Sequence, residues 1–226
     1  MMRLACIRGH HIWPRPLTQH SVVVDSGAHR GEFSDEIIRR FGCQCHLVEA
    51  NAALAETISV AGTASITIAA LGARDGRGKL HLSENLEASG LFNGGPNPTV
   101  DVELISLSTL MQRIGITEID LLKLDIEGAE FELIASTSDA ILRRISQITV
   151  EFHDFKPQFS DRGLFENARA RLESLGFICC NMAFRTHGDV LFLNYVRLCL
   201  GSGRSVYARH LMRYVEKAKV FLRRTK

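Results

Sequence analysis

Short apolar runs that each end in an acidic residue recur along this chain of 226 residues. Three of them are Ser21–Asp25, Cys45–Glu49 and Ile119–Asp125. Between such runs lie segments with apolar residues at helical spacing, for example Glu32–Phe41. Strands that alternate with helices predict a mainly parallel sheet that is covered on both faces. We therefore predict an α/β fold with a Rossmann-like, doubly wound sheet.

The last two predicted strands, Phe177–Met182 and Val190–Leu198, are joined by a short turn. Two strands connected in this way are antiparallel, so we predict one antiparallel strand near an edge of the sheet. Right-handed crossovers place the carboxyl ends of the parallel strands on one rim, and ligands bind there, where the strand order reverses. The residues predicted to end strands on this rim are Asp25, Glu49, Ala70, Asp125 and Glu151.

Further elements follow from local patterns. The Ala-rich segment Ala52–Val60 predicts a helix, and Ser65–Ala70 predicts a strand. Residues 83–99 are rich in Asn, Gly and Pro and predict a loop.

Composition supports one globular domain. The hydrophobic fraction is 46% and the charged fraction is 23%, and no apolar run reaches the length of a membrane-spanning helix. We predict a domain over residues 21–200, an N-terminal arm over 1–20 and a basic amphipathic C-terminal helix over 201–226. The six cysteines form no CxxC pair, and the first residues contain no signal-like apolar run. These features favour reduced thiols and a cytoplasmic location.

Charge is distributed unevenly. The formal net charge is +2, but residues 201–226 alone carry +7, which leaves the rest of the chain acidic. We therefore expect no nucleic-acid partner. The basic helix is expected to pack on the domain; pairing in a homodimer and contact with a membrane surface are the alternatives. His10, His11 and His20 lie on the arm, where we expect them to be solvated.

A glycine loop with GxxxG spacing, Asp25–Gly31, joins the first long strand to its helix. Such a loop lets a ligand approach the backbone, and the helix N-terminus favours an anion. Glu49 ends the second strand, where an acid accepts hydrogen bonds from two ribose hydroxyls. Together they predict a nucleoside-bearing cofactor, although a tight turn and a solvated acid would give the same pattern.

Four acids, Asp120, Asp125, Glu127 and Glu130, are close in sequence around the strand Ile119–Asp125. Helix capping explains Glu127 and Glu130. It does not explain Asp125, because a buried carboxylate needs a partner such as a cationic ligand or a metal.

Several segments resemble the FkbM-type family of S-adenosylmethionine-dependent methyltransferases. They are VVVDSGAHRGEFS, LVEAN and LLKLDIEGAEFELI followed by ITVEFHD, within about residues 22–154. The resemblance implies a seven-stranded methyltransferase fold, S-adenosylmethionine as cofactor, and methyl transfer to a hydroxyl of a sugar, polyketide or other small metabolite. The sequence departs from the family pattern at His29, Arg30 and Ala50.

The resemblance also implies a role for each matching position. The glycine loop and Asp125 would lie near the methionine part of the cofactor, with Asp25 near its amino group, and Glu49 would bind the ribose. Asn51 and Ala70 would lie near the adenine. The predicted cofactor-binding residues are Asp25, Gly27, Ala28, His29, Gly31, Glu49, Ala50, Asn51, Ala70, Asp125 and Glu127.

Methyl transfer to a hydroxyl requires loss of a proton from the acceptor. The predicted catalytic residues are His153, Asp125 and Glu151, with Asp154 as a further rim candidate. We favour His153 as the base because an unperturbed imidazole titrates at a pKa of about 6.5; a surface histidine beyond the strand is the alternative. Asp125, Glu151 and His153 have the side-chain types of a divalent-metal site. Sequence spacing does not establish such a site, and no metal is predicted.

Two other functions remain open from the sequence. A methyltransferase-like module that binds the cofactor without turnover is compatible with His29, Arg30 and Ala50. An NAD-binding oxidoreductase has a similar sheet, but the chain lacks GxGxxG.

Overall fold

The computed structural model describes residues 2–82, 98–155, 163–183, 186–208 and 214. Within them the elements are, in chain order, β1 (Ala5–Ile7), β2 (His10–Ile12), β3 (Val22–Ser26), α1 (Glu32–Phe41), β4 (Gln44–Glu49), α2 (Ala52–Ala55), β5 (Ala64–Ile68), β6 (Ala70–Leu71), β7 (Gly76–His81), β8 (Thr99–Ile105), α3 (Leu107–Arg113), β9 (Leu121–Leu124), α4 (Glu130–Ser136), α5 (Asp139–Leu142), β10 (Gln147–Val150), α6 (Gly163–Ser174), β11 (Phe177–Asn181), β12 (Val190–Asn194) and α7 (Ser202–Val206).

Seven strands form the central sheet in the order β11-β12-β10-β9-β3-β4-β5. From β10 to β5 the neighbouring strands are parallel, and β12 is antiparallel to both of its neighbours. The prediction of a seven-stranded, mostly parallel sheet with one antiparallel strand near an edge is therefore confirmed. The strand order reverses between β3 and β9, so a ligand site is expected at the carboxyl ends of these two strands.

Both faces of the sheet are buried at its central strands, whereas most of the edge strand β5 is exposed. Val24 and Leu122 lie in one core with residues of α3, α4 and α6. Their neighbours Val23 and Leu121 point to the opposite face, where they share a second core with α1. This alternation along parallel strands is what a doubly wound sheet requires.

The N-terminal residues form a hairpin, β1–β2, that packs on the sheet. Its two-residue turn consists of Arg8 and Gly9, both with positive φ (47° and 89°). The main chain of Trp13 is paired with the side-chain amide of Gln147, which donates to the Trp13 carbonyl and accepts from its N–H. These contacts fix β2 across β10 and β12.

The hairpin overturns one expectation for the arm. His10 is buried, and His11 is half-buried with its N–H and ring paired to Asp189, so neither is solvated. The prediction was wrong because the short β-strands gave no signal that they would cover the sheet. His20 is exposed, as expected.

Two smaller predictions also need correction. The helix expected over Ala52–Val60 ends at Ala55, and the β-branched residues Ile58 and Val60 instead pack towards α1. The strand expected over Ser65–Ala70 is divided: β5 ends at Ile68, and Ala70 belongs to β6 in a separate sheet of order β6-β8-β7.

Two predicted segments fall largely outside the described residues. They are the loop at 83–99, of which 83–97 are not described, and the basic helix over 201–226, of which α7 is the described element. No helix in the described ranges combines the length and the apolarity that crossing a bilayer demands.

The thiols provide a test of the packing. All six cysteines are described and free; Cys6 and Cys199 are exposed, and the others are buried or half-buried. Burial raises the pKa of Cys43 to about 11, and it raises the pKa of Cys45 and Cys180 further.

Because the thiolate is the reactive form, we expect the two exposed thiols, Cys6 and Cys199, to react rapidly with a chromogenic disulfide reagent in native protein. All six should react in denaturant. A Cys6→Ser/Cys199→Ser variant should lack the rapid phase; two rapid thiols in that variant would contradict this packing.

Candidate active site

The glycine loop after β3 is packed against the neighbouring strands. Gly27 has φ of 73°, and a Cβ added there would lie 1.8 Å from the Asp125 carbonyl oxygen. The N–H groups of Gly27 and Ala28 both donate to the Val48 carbonyl, at 3.0 and 3.1 Å. No side chain larger than hydrogen fits at Gly27, so the loop can follow this path only with glycine.

The loop leads into α1, whose N-terminus is open. Its N-cap residue is Gly31, at φ of 77°, and no side chain of the described residues caps the first turn. A cavity of about 320 Å³ opens beside this end of the helix. The free N–H groups and the helix dipole make this end of the cavity suitable for an anionic group. The residues that line the cavity are Arg8, His10, Gly27, Ala28, His29, Arg30, Glu32, Phe33, Lys123 and Asp125.

Glu49 lies next to the loop, and its carboxylate is buried. Its Oε2 accepts from the His29 N–H and its Oε1 from the Asn51 N–H, both at 2.8 Å. Burial raises the pKa of Glu49, and these two hydrogen bonds oppose the rise. Each carboxylate oxygen can accept more than one hydrogen bond, so both keep acceptor capacity.

The residues predicted near an adenine lie on the same side of the loop as Glu49. Asn51 is buried, and its side-chain oxygen accepts from the Ala53 N–H, which caps α2. Ala50 packs with Ala70 in a small apolar cluster next to the end of β4. These residues do not line the cavity described above.

A buried lysine connects the two strands at the switch point. Lys123 Nζ lies 3.1 Å from Asp25 Oδ1 and 3.6 Å from Asp125 Oδ2, and it donates to the Gly27 carbonyl at 2.8 Å. Burial alone would lower the pKa of Lys123, but the two carboxylates raise it, so the side chain is charged. Asp25 is fully buried and also accepts from Ser34 Oγ. The structure thus places Asp25 behind Lys123 and outside the cavity lining.

Asp125 lies at the centre of the acidic end of the site. Its Oδ2 is 3.7 Å from His10 Nε2, and its Oδ1 is 3.8 Å from His153 Nε2. Burial would raise the pKa of Asp125, but the charge of Lys123 and the two histidines lower it well below the ordinary range. Asp125 is therefore ionised at all physiological pH values and is unsuited to accept a proton.

His153 is held by a buried carboxylate. Its Nδ1 is 2.9 Å from Glu130 Oε1, and its Nε2 is 3.5 Å from Glu127 Oε2. Glu130 in turn accepts from the N–H groups of Ile126 and Gly128 in the turn before α4. Its predicted capping role is wrong, because the N-cap residue is Ala129 and no side chain of the described residues caps this helix. Burial would lower the pKa of His153, but the hydrogen bond to Glu130 and the nearby acids raise it.

Glu151 ends β10 next to the same group. It is half-buried, and burial together with the charge of Asp125 raises its pKa. One ligand atom each from His10, Asp125 and Glu151 lies within 4.8 Å of the others, and the same holds for Asp125, Glu127 and His153.

The structure brings most of the predicted residues to one rim, but not all. Gly31 faces Ile58 and Val60 and not the cavity. Asp120 precedes β9, so it lies at the opposite end of the strand from Asp125, where it accepts from the Val22 N–H. It was wrong to group Asp120 with the rim acids.

Sequence reasoning did not identify several residues of the site. Lys123 is the one charged residue in an otherwise apolar β9, and this signal was visible. Arg8 and His10 come from the hairpin and carried no such signal, because their position depends on tertiary packing.

The contact of Gly27 with Asp125 can be tested by stability. Gly27→Ala places an alanine in the left-handed region of backbone conformation and also makes its Cβ clash with the Asp125 backbone. Gly115→Ala has only the first effect, because no atom lies within 4 Å of a Cβ added at Gly115. In urea denaturation we expect Gly115→Ala to lose about 1–2 kcal/mol. Gly27→Ala should lose clearly more, or fail to fold. Equal losses would show that the loop is not packed as described.

Comparison with known proteins identifies the family of this chain. A family model described as the methyltransferase FkbM domain matches residues 25–179. A search of curated proteins finds no match. Among solved structures, a precorrin-6y C5,15-methyltransferase from Geobacter metallireducens GS-15 aligns at 14% identity and a TM-score of 0.41, over 79% of this chain and 82% of that one. The SAH-bound form of CalO1, a methyltransferase in calicheamicin biosynthesis, aligns at 13% identity and a TM-score of 0.34, over 79% of this chain and 49% of that one. The family match spans well over half of the sequence, and on this ground the chain belongs to the FkbM methyltransferase family.

Proposed function

We propose that this protein is an S-adenosylmethionine-dependent O-methyltransferase that acts on a hydroxyl group of a sugar, polyketide or other small metabolite. The observation that carries the proposal is the cavity at the switch point between β3 and β9, which combines an uncapped helix N-terminus with the buried carboxylate of Asp125. Family membership supplies the reaction class. The cofactor and the acceptor atom are our proposal.

The residues at the glycine loop fit the methionine part of the cofactor. The N-terminus of α1 and Arg30 suit its carboxylate, and Gly27 and Ala28 line the cavity beside them. His29 Nε2 is buried and has no hydrogen-bond partner among the described residues, which supports a ligand at this position. The acids around Asp125 provide negative charge for a cationic donor.

The other side of the loop fits the nucleoside. Glu49 is already oriented by two backbone N–H groups, and its remaining acceptor capacity suits two ribose hydroxyls. Asn51 keeps its side-chain amide hydrogens for the adenine, and the cluster of Ala50 and Ala70 offers apolar surface beside it.

S-adenosylmethionine supplies an activated methyl group on a sulfonium. The protein contributes the position of the acceptor and a group that takes its proton. We assign the latter role to His153, because Glu130 fixes the ring through Nδ1 and Nε2 faces the carboxylates of Glu127 and Asp125 at the rim. Glu151 is the second candidate, since its raised pKa makes it a stronger base than an ordinary carboxylate.

Cofactor binding is tested with the product, S-adenosylhomocysteine, by isothermal titration calorimetry. We expect Glu49→Ala to weaken binding at least tenfold, because hydrogen bonds to a charged group contribute about 1.5–3 kcal/mol. Glu56→Ala, which removes an exposed acid from the same region, should bind normally. The ribose assignment fails if Glu49→Ala binds as tightly as the wild type, and no binding by wild-type protein would reject the cofactor.

The base is tested by turnover with methyl-labelled cofactor and a metabolite pool as acceptor. His153→Gln should lower kcat about 100-fold or more, while S-adenosylhomocysteine affinity stays within twofold. Glu151→Gln should lower kcat less. A larger loss for Glu151→Gln would transfer the role to Glu151, and cofactor binding without any turnover by wild-type protein would favour a non-catalytic module.

A further inference from the structure

We propose that His10, Asp125 and Glu151 form a binding site for one divalent transition-metal ion. The three residues come from distant segments: the N-terminal hairpin, the end of β9 and the end of β10. One ligand atom from each lies within 4.8 Å of the other two. The fold thus brings an imidazole and two carboxylates to one point on the rim of the sheet.

His10 is the residue that points to a missing partner. It is only 3% exposed, and its Nδ1 is buried without a hydrogen-bond partner among the described residues. Its Nε2 is directed at Asp125 Oδ2, but the distance of 3.7 Å exceeds that of a hydrogen bond. The ring is kept in place by an edge contact with Phe33, at 5.7 Å between centroids. A cation between Nε2 and Oδ2 would bind both atoms in place of the hydrogen bond that their separation prevents, whereas Nδ1 lies on the other side of the ring and is not a ligand.

The distances are near those of a coordination sphere. Bonds of about 2.1 Å place adjacent ligand atoms of an octahedral ion about 3 Å apart and opposite ones about 4.2 Å apart. The observed separations therefore require inward shifts of under about 1 Å. A set with imidazole and carboxylates favours Mn²⁺, Fe²⁺, Co²⁺ or Zn²⁺ over Ca²⁺, which prefers oxygen ligands alone.

A second group at Asp125, formed with Glu127 and His153, is the competing location. There His153 is already paired through Nδ1 with Glu130. We therefore assign the ion to the side of Asp125 that faces His10.

The site lies on the cavity wall, because His10 and Asp125 both line it. An ion there would favour acceptors with oxygen atoms that can bind a metal. This consequence rests on the proposed function, whereas metal binding itself does not.

The test uses the full chain after treatment with a chelator and titrates it with MnCl₂. Free Mn²⁺ is followed by electron paramagnetic resonance, and binding heat is measured by calorimetry. We expect saturable binding of one Mn²⁺ per chain. His10→Phe, which keeps an aromatic ring against Phe33, and Glu151→Gln should each weaken binding at least tenfold. His20→Gln removes an exposed histidine of the same arm and should bind as the wild type does.

Three results would overturn the proposal. They are no saturable Mn²⁺ binding by wild-type protein, unchanged Mn²⁺ binding by folded His10→Phe and Glu151→Gln, or weaker Mn²⁺ binding by His153→Gln but not by His10→Phe. Circular dichroism melts show which variants fold. If His10→Phe does not fold, Glu151→Gln, which changes a half-buried residue, provides the test. S-adenosylhomocysteine binding is measured separately without metal, so that failure of the metal site and failure of the proposed function remain distinguishable.

Discussion

The ion pairs of Lys123 with Asp25 and Asp125 join the two strands from which the rest of the site extends. A buried charge is tolerated only when it is paired and hydrogen-bonded, and Lys123 has both carboxylates and the Gly27 carbonyl as partners. The same contacts set the spacing between β3 and β9 at the point where the strand order reverses. Asp25 therefore has a structural role in this protein, and Asp125 is the acid that remains available on the rim.

The sequence was sufficient for most of the fold because periodicity is local. The apolar runs that became β3, β4, β9 and β10 could be recognised from a few adjacent residues, and their common rim followed from the handedness of crossovers. The same reasoning located Glu49 and Asp125. Ala52–Val60 was mistaken for one helix because alanine content outweighed the β-branched residues that follow Ala55.

The part of the site that escaped prediction depends on contacts between segments far apart in the chain. Arg8 lies in the turn between two strands of three residues, and His10 begins the second of them. Strands this short show no visible pattern, and both residues reach the cavity only because β2 lies across β10 and β12. They also precede residues 25–179, which match the family. Properties of the cavity that depend on Arg8 and His10 therefore cannot be inferred from the matched segment alone.

The position of the hairpin has a consequence for biosynthesis. Residues 5–13 are synthesised long before Gln147 and Asp189, with which Trp13 and His11 pair. Ile7 and Ile12 share a core with residues of β3, α1 and β4, but the contacts of β2 with β10 and β12 form only when those strands exist. The nascent chain therefore synthesises its glycine loop early and fixes the hairpin wall of its ligand cavity only after β12 has been made.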